Sequence, residues 1–411
     1  ELLLLSGVHV EESMAPVKHL LVLLLPCLTG ATALRVAKPE DPWEFLRYQL
    51  KAWPYTEDFA VEVGNATHGR VFLYEQGTMT LDRKVQTAST SKWPMASMVT
   101  AVVADGVISS LDDKPSKYLP WWTTDPKDLR SEVTLRMLLS FTSGFGGGSP
   151  GEKLTVESTI AEGPPCMSDI HGDYMSCAKD IYNQVKLEAK PGTLFSYNSF
   201  HLQLAGAMAA AAANLTAVEL VDKYLYKTFG MNSTDCMGGA SNPPLAVCLR
   251  TTGADYGSFL ARILDHTAIP ASLTREMEKD YTTPPVQPAG LTLFGDYCFG
   301  HFYECFDSNF GMTDACREAN VHADPGAFGY YPLIDRKNQY YMQVVVEEKG
   351  KFYNRSGIPE YLRVVVKPYV DLIMNGEEAA SGDRSVLGKL TLEDANYIQA
   401  CYNNDPSCLY L

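Results

Sequence analysis

The sequence is poor in basic charge. It holds 34 Lys and Arg against 49 Asp and Glu, a formal net charge of −15, and no basic run. Phosphate binding needs clustered Lys and Arg, so a nucleic-acid partner is excluded. No Gly-Lys-Ser/Thr loop occurs, and His68, His171, His201, His266 and His301 are scattered without metal-ligand spacing, so neither metal nor cofactor is expected. Long apolar runs are also missing. Beyond the N-terminal segment the longest is the Ala-rich Ala205 to Ala213, short of the about 18 residues of a membrane span. No internal repeat is evident. What is present, 46% hydrophobic and 20% charged residues in 411, is a globular composition with ample core, and it excludes disorder, collagen and coiled coil. The length fits two or three units, or one large domain with an inserted lobe.

Met14 is followed by Lys18, the apolar run Leu20 to Leu28, and Ala31-Thr32-Ala33. Charged, apolar and small residues in that order read as a secretory signal peptide cleaved after Ala33. The expectation is a secreted or lumenal protein with no membrane anchor after cleavage. Residues 1–13 carry no reading. Of ten cysteines, Cys27 lies in the signal. The short spacings among the rest predict the local disulfides Cys166–Cys177, Cys236–Cys248 and Cys401–Cys408, with one of Cys298, Cys305 and Cys316 left over. Sequons at Asn65, Asn214, Asn232 and Asn354 fit a eukaryotic glycoprotein.

Phe59 to Val63 and Arg70 to Thr80 are rich in β-branched and aromatic residues and flank Gly64, Asn65 and Gly69, which predicts a hairpin. From Ser89 the apolar spacing turns helical through Met95, Met98, Val99, Val102 and Val103, stopping at Gly106. Residues 107–260 mix Gly/Pro-rich loops with helices such as Leu202 to Ala213 and Val218 to Thr228, a helical lobe. Ala327 to Asp335 and Tyr340 to Glu347 read as strands, and Pro359 to Met374 as a helix. Strands near both ends imply one sheet closed by the two termini. The expected organisation is an upstream and signal segment over 1–33, a domain over 34–375, and a tail over 376–411 carrying Cys401 and Cys408.

Ser89-Thr90-Ser91-Lys92 places a hydroxyl and an amine three residues apart, on one face of a helix. Such an amine can serve as the base for a serine nucleophile if burial or nearby cations lower its proton affinity. The same spacing recurs at Ser176-Cys177-Ala178-Lys179, so spacing alone does not choose between them.

Context favours Ser89. Val85 to Lys92, Leu111-Asp112-Asp113-Lys114-Pro115 to Pro120, Leu138-Leu139-Ser140-Phe141-Thr142-Ser143-Gly144, Pro191 to Ser199, Thr251 to Tyr256 and Gly326-Ala327-Phe328-Gly329 follow one another in order. In that order the sequence, over roughly residues 45–375, resembles the serine β-lactamase and penicillin-binding protein superfamily, particularly the branch of class C β-lactamases, DD-peptidases and related esterases. The resemblance implies an α+β fold, an antiparallel sheet flanked by helices with an inserted mostly helical lobe. It implies Ser89 as nucleophile, with Lys92 and Tyr197 as general base and acid. An oxyanion hole would come from the backbone amides of Ser89 and Ala327. Ser199, His322, Asp324 and Gly326 fall where the family binds substrate, and Gly326 to Gly329 where it places its active-site edge strand.

Two departures bear on substrate. Ser199 stands where the family usually has Asn. Asp324-Pro325-Gly326 replaces the family's Lys-Thr-Gly or His-x-Gly, with His322 two positions early. A two-residue bulge would return His322 to the pocket. Otherwise Asp324 either puts negative charge where a Lys attracts a substrate carboxylate or turns to solvent on a loop. The negative charge argues against β-lactams and D-Ala peptides and for neutral esters, lactones or amides. Gly147-Gly148-Ser149-Pro150-Gly151 matches a nucleophile elbow, but Pro150 lacks the N–H that an elbow needs. Trp121, Trp122, Tyr330 and Tyr331 are candidate pocket aromatics, with ordinary packing the commoner role. The expectation is a secreted serine hydrolase acting through an acyl-enzyme on a small ester or amide. The alternatives are a non-catalytic binding or scaffold protein of the same fold, and a β-lactamase or DD-peptidase-type amidase.

Overall fold

The computed structural model describes residues 41–53, 55–146, 163–289, 296–303, 318–347 and 357–377. The expected signal peptide, the tail beyond 377, the Gly147 to Gly151 motif, Asn354, and Cys305, Cys316, Cys401 and Cys408 lie outside them. In chain order the elements begin with helix α1 (Glu44–Lys51), strands β1 (Phe59–Asn65), β2 (Gly69–Gln76) and β3 (Lys84–Gln86), and helices α2 (Lys92–Ala104) and α3 (Leu135–Leu139). There follow α4 (Tyr174–Gln184), β4 (Leu194–Ser196), α5 (Phe200–Ala213), α6 (Ala217–Val221), β5 (Asp235–Cys236), β6 (Leu249–Thr252), α7 (Gly253–Leu264) and α8 (Ala271–Met277). The remainder are β7 (Gln287–Ala289), β8 (Asp296–Tyr297), β9 (Phe302–Tyr303), β10 (Val321–Ala323), β11 (Tyr331–Asp335), β12 (Tyr340–Val345) and α9 (Gly357–Met374).

The main sheet is antiparallel in the order β2-β1-β12-β11-β10-β9-β8. Ala60 pairs with Val345 and Asn65 with Tyr340, so strands from the two ends of the domain lie side by side, as the sequence implied. Side chains on a strand alternate between faces. Val61, Val63, Leu333, Met342 and Val344 pack with Leu362, Val366 and Val370 of α9, whereas Ala60, Ile334, Tyr341 and Val345 join the larger core holding α2, α5 and α7. Fold class and sheet follow the expected α+β pattern.

The hairpin, the helix after Ser89, and α5 match the sequence reading within a few residues. α5 ends where Asn214 adopts φ 53°, a conformation Asn tolerates better than most residues. The helix expected over Val218 to Thr228 is found as α6, opened by a Thr216–Glu219 capping box and continued by a π-helical turn over Asp222–Lys227. The strand expected over Ala327 to Asp335 begins at Tyr331. Gly326 to Gly329 is a tight turn, closed by the Gly329 amide on the Gly326 carbonyl at 2.8 Å with Gly329 at φ 88°. Pro325 has no amide to give a ladder, and Gly329 supplies the left-handed φ that the turn needs. Cys166–Cys177 and Cys236–Cys248 are bonded as expected, and among the described residues Cys298 is the cysteine outside a disulfide.

One buried polar cluster clamps α9 to the sheet. Lys367 Nζ donates to Asp335 Oδ2 at 2.6 Å and to Asp371 Oδ2 at 2.9 Å, and Tyr340 Oη donates to Asp371 Oδ1 at 2.8 Å. Removing one member of a buried pair strands the other without compensation, at a cost of about 3–5 kcal/mol. Lys367→Met is therefore expected to lower the urea midpoint strongly. An unchanged midpoint would show that the clamp contributes nothing net.

Candidate active site

The segment before α2 departs from regular helix. Ala88 to Ser91 form a 3-10 turn that runs into α2, and Ala88 takes φ 50°, unusual for a residue with a side chain. Such strain persists only where the surroundings hold it. Here the Thr87 amide donates to the Leu249 carbonyl at 3.1 Å, Ser91 Oγ donates to the Ala88 carbonyl at 2.7 Å, and the Leu249 amide donates to Ser91 Oγ at 3.0 Å. Tyr256 Oη donates to the Thr90 carbonyl at 3.0 Å. The turn is thus pinned by β6 and α7. α2 itself is apolar on every side and buried almost throughout, which marks a core helix rather than a surface one.

Lys92 occupies the first turn of α2 and is only 2% exposed. Its Nζ donates to Ser89 Oγ at 3.0 Å and to the Ala246 carbonyl at 3.1 Å, and lies 4.6 Å from the centre of the Tyr197 ring. Burial lowers its pKa to about 8, against an opposing pull from Asp324. The cation–π contact and the two oxygens partly replace lost hydration. Ser89 is 6% exposed. Tyr197 follows β4 and is held among Phe141, Tyr297 and Phe302, with ring centres 5.9, 5.9 and 6.1 Å away. Behind it His201 Nδ1 lies 2.8 Å from Ser143 Oγ and Nε2 2.9 Å from the Ser196 carbonyl. Burial pushes His201 down to about 3, so it braces the β4–α5 junction as a neutral ring. Ser199 is the N-cap of α5 and 7% exposed.

The rival Ser-x-x-Lys has different surroundings. Ser176 and Lys179 are exposed on α4, and the Ser176 amide is capped by Asp173 at 2.7 Å. Equal spacing gives equal proximity along a helix, but only Lys92 is desolvated.

Gly326 packs against the 3-10 turn that holds Ser89. A Cβ there would strike the Thr87 carbonyl oxygen and Thr90 Oγ1, which is why glycine is needed. Ala327 is the next residue, and the bond that closes its turn uses the Gly329 amide and leaves the Ala327 amide aside.

His322 and Asp324, expected at the substrate, require correction. Both are fully buried. On β10, Val321 and Ala323 face the α9 cluster, so alternation turns His322 to the opposite face. There its Nδ1 lies 3.2 Å from His301 Nε2. Asp324 does not turn to solvent. Its Oδ2 accepts from the Trp93 amide at 2.9 Å, its Oδ1 has no hydrogen-bond partner, and burial raises its pKa. The carboxylate is thus a buried anchor for the first turn of α2. The candidate pocket aromatics are partly spoken for: Trp122 Nε1 donates to the Arg130 carbonyl at 2.8 Å, Tyr330 Oη donates to Gln343 Oε1 at 2.6 Å, and Tyr331 is core. The Ala246 carbonyl and the Trp93 amide are site groups that sequence reasoning missed. Backbone atoms leave no signal in residue type.

Residues 59–357 match the Beta-lactamase family, and the chain belongs to it. Among solved structures it is similar to a beta-lactamase-type protein from Bacteroides dorei DSM 17855, with 25% identity, a TM-score of 0.62, and 81% of this chain and 99% of that one covered. It is also similar to a beta-lactamase/D-alanine carboxypeptidase from Yersinia pestis, at 17% identity and TM-score 0.58 over 79% and 98% of the two chains. Simvastatin synthase from Aspergillus terreus superposes at 12% identity and TM-score 0.58 over 82% and 100%. No curated protein matches the sequence.

Gly326→Ala is expected to push the 326–329 turn off Thr87 and Thr90 and to cost about 1–3 kcal/mol by overpacking, read as a fall in melting temperature. A full-stability alanine variant would mean that the turn and the Thr87–Thr90 segment are not in obligatory contact.

Proposed function

We propose that the protein is a secreted serine hydrolase that cleaves small neutral esters, lactones or amides through an acyl-enzyme. The observation that carries the reading is the buried 3.0 Å contact of Lys92 Nζ with Ser89 Oγ, on an amine held at about 8. In the neutral form Nζ accepts the Ser89 proton as Oγ attacks the carbonyl carbon. The ammonium so formed, with the Tyr197 ring against it, returns a proton to the departing alcohol or amine. Water then attacks the acyl carbon as neutral Lys92 takes its proton, and the Oγ–acyl bond breaks with that proton passing from Lys92 to Ser89 Oγ, which releases the acid. The amides of Ser89 and Ala327 would face the oxyanion in both halves. Tyr197 and Lys92 act as one unit, because the ring face and the ammonium are in contact.

The substrate class rests on charge. The position at which the family carries a cation for a substrate carboxylate holds Asp324 here, buried and bound to Trp93. A negatively charged β-lactam or peptide terminus therefore gains no partner from that segment. The relatives named above, a D-alanine carboxypeptidase and a simvastatin synthase among them, fit a fold on which several acyl-transfer substrates are accommodated by changes at the rim. The signal-like segment and the two disulfides support an oxidising compartment. At the sequons, Asn214 and Asn232 are exposed and Asn65 is half-buried, which leaves at least two of them reachable by a glycosyltransferase.

A fluorophosphonate should label the protein once, as read by intact mass, and labelling should vanish in Ser89→Ala. Short esters should be turned over and a chromogenic cephalosporin left intact. Folded wild-type protein that takes no label would overturn the hydrolase reading in favour of a binding protein. Lys92→Met should lower the acylation rate by about 10²–10⁴-fold.

Because the neutral amine is the base, the acylation rate should rise with pH and level off above about 8. Asp324 holds Lys92 up, so Asp324→Asn should move that inflection to lower pH. A profile flat from pH 6 to 9 would remove Lys92 from the role of base.

A further inference from the structure

Behind the catalytic helix three side chains converge that the proposed reaction does not use. Cys298 and His301 flank the turn between β8 and β9, and His322 comes from β10. All three are buried, and one ligating atom from each lies within 4.8 Å of the others. His301 Nδ1 is 2.9 Å from the Phe299 carbonyl, an acceptor, so that nitrogen carries the proton and Nε2 presents a lone pair. His322 Nε2 is 3.2 Å from Asn320 Oδ1 and 3.9 Å from Glu278 Oε2. Both are acceptors, so Nδ1 presents the lone pair. The two lone pairs face each other across 3.2 Å, and Cys298 Sγ stands 4.0 Å from His322 Nδ1. Neutral imidazoles in these tautomers repel, and a proton or a metal cation between the facing nitrogens relieves the repulsion.

We propose that Cys298, His301 and His322 form a binding site for a thiophilic d10 cation, Zn2+ or Cu+. Two imidazole nitrogens on one tetrahedral zinc lie about 3.3 Å apart, close to the distance present. The sulfur stands about half an ångström beyond the tetrahedral separation from His322 Nδ1 and within 4.8 Å of His301 Nε2, so it must move in by about an ångström to reach bonding distance. Outer partners that fix the tautomer and tilt of each ring are a regular feature of metal-bound histidine. The Phe299 carbonyl, Asn320 and Glu278 are placed to do this. Glu278 is itself held by Arg336, with Nε 3.0 Å from Oε1, and so is committed as an outer partner. Thiolate with two imidazoles selects zinc or copper over magnesium or calcium. On binding, the Cys298 S–H proton leaves to solvent and an S–metal bond replaces it.

The location gives such an ion a structural role. The Cys298 amide donates to the His301 carbonyl at 2.8 Å, and the His301 ring stacks on Trp93 at 4.5 Å. A Cβ on Gly300 would strike the Lys92 carbonyl. Strands β8 and β9 pair through only two residues each, and β9 meets β10 through His322–Tyr303 and Ala323–Phe302. An ion would staple this short hairpin to β10 and seat both against α2. The inference does not depend on the hydrolase reading.

The test uses the full chain, stripped with a chelator and titrated separately with Zn2+ and with Cu+ under anaerobic reduction that spares the disulfides. One equivalent is expected from wild type, with a rise in melting temperature. Cys298→Ala and His322→Gln should each lose at least about 100-fold in affinity, and Asn320→Leu about 10–100-fold. Ser89→Ala should bind as wild type does. Uptake of one ion and not the other assigns the site to that ion. Wild type that binds neither ion stoichiometrically overturns the proposal, whether or not the variants fold. So does undiminished uptake by a folded Cys298→Ala.

Discussion

An ammonium group loses most of its hydration when it is buried, and the protein around Lys92 is arranged to carry that cost without cancelling it. Two oxygens, the Tyr197 ring face and the Asp324 charge soften the loss. They do not abolish it, so the amine is held near a pKa of 8. A surface lysine with the same neighbour at the same helical spacing would stay protonated and could not accept the proton of Ser89. The exposed Ser176 and Lys179 pair is that case within the same chain.

The partners of Lys92 come from well-separated segments. Ser89 precedes α2, Tyr197 follows β4, Ala246 lies in the loop before β6, and Asp324 lies just past β10. What brings them together is the sheet, closed by pairing β1 with β12 and clamped to α9 through Lys367. The same alternation that sends Val321 and Ala323 to α9 sends His322 inward to His301 and Cys298. One strand of three residues therefore serves both a hydrophobic layer and a polar cluster against α2.

Much of this was legible beforehand. β-branched alternation marked the hairpin, apolar spacing marked α2 and α5, and ordered motifs marked Ser89, Lys92 and Tyr197. Local cysteine spacing marked both disulfides found. The edge strand was misplaced, because the Gly and Pro at 325–329 were read as a family motif and not as turn residues. His301 was dismissed as unspaced, although Cys298 stands three residues before it and offered a ligand spacing on its own strand turn.

Residue type and period are local quantities, and they determined the elements, the α+β class, the negative charge and the pairing of Ser89 with Lys92 along the chain. Burial and long-range pairing are not local. Whether Lys92 is dry, whether Asp324 faces a substrate or the α2 backbone, and which imidazole nitrogens meet depend on packing between segments far apart in the chain. The electrostatic energy of each group is set by that packing, so only the tertiary structure decided them.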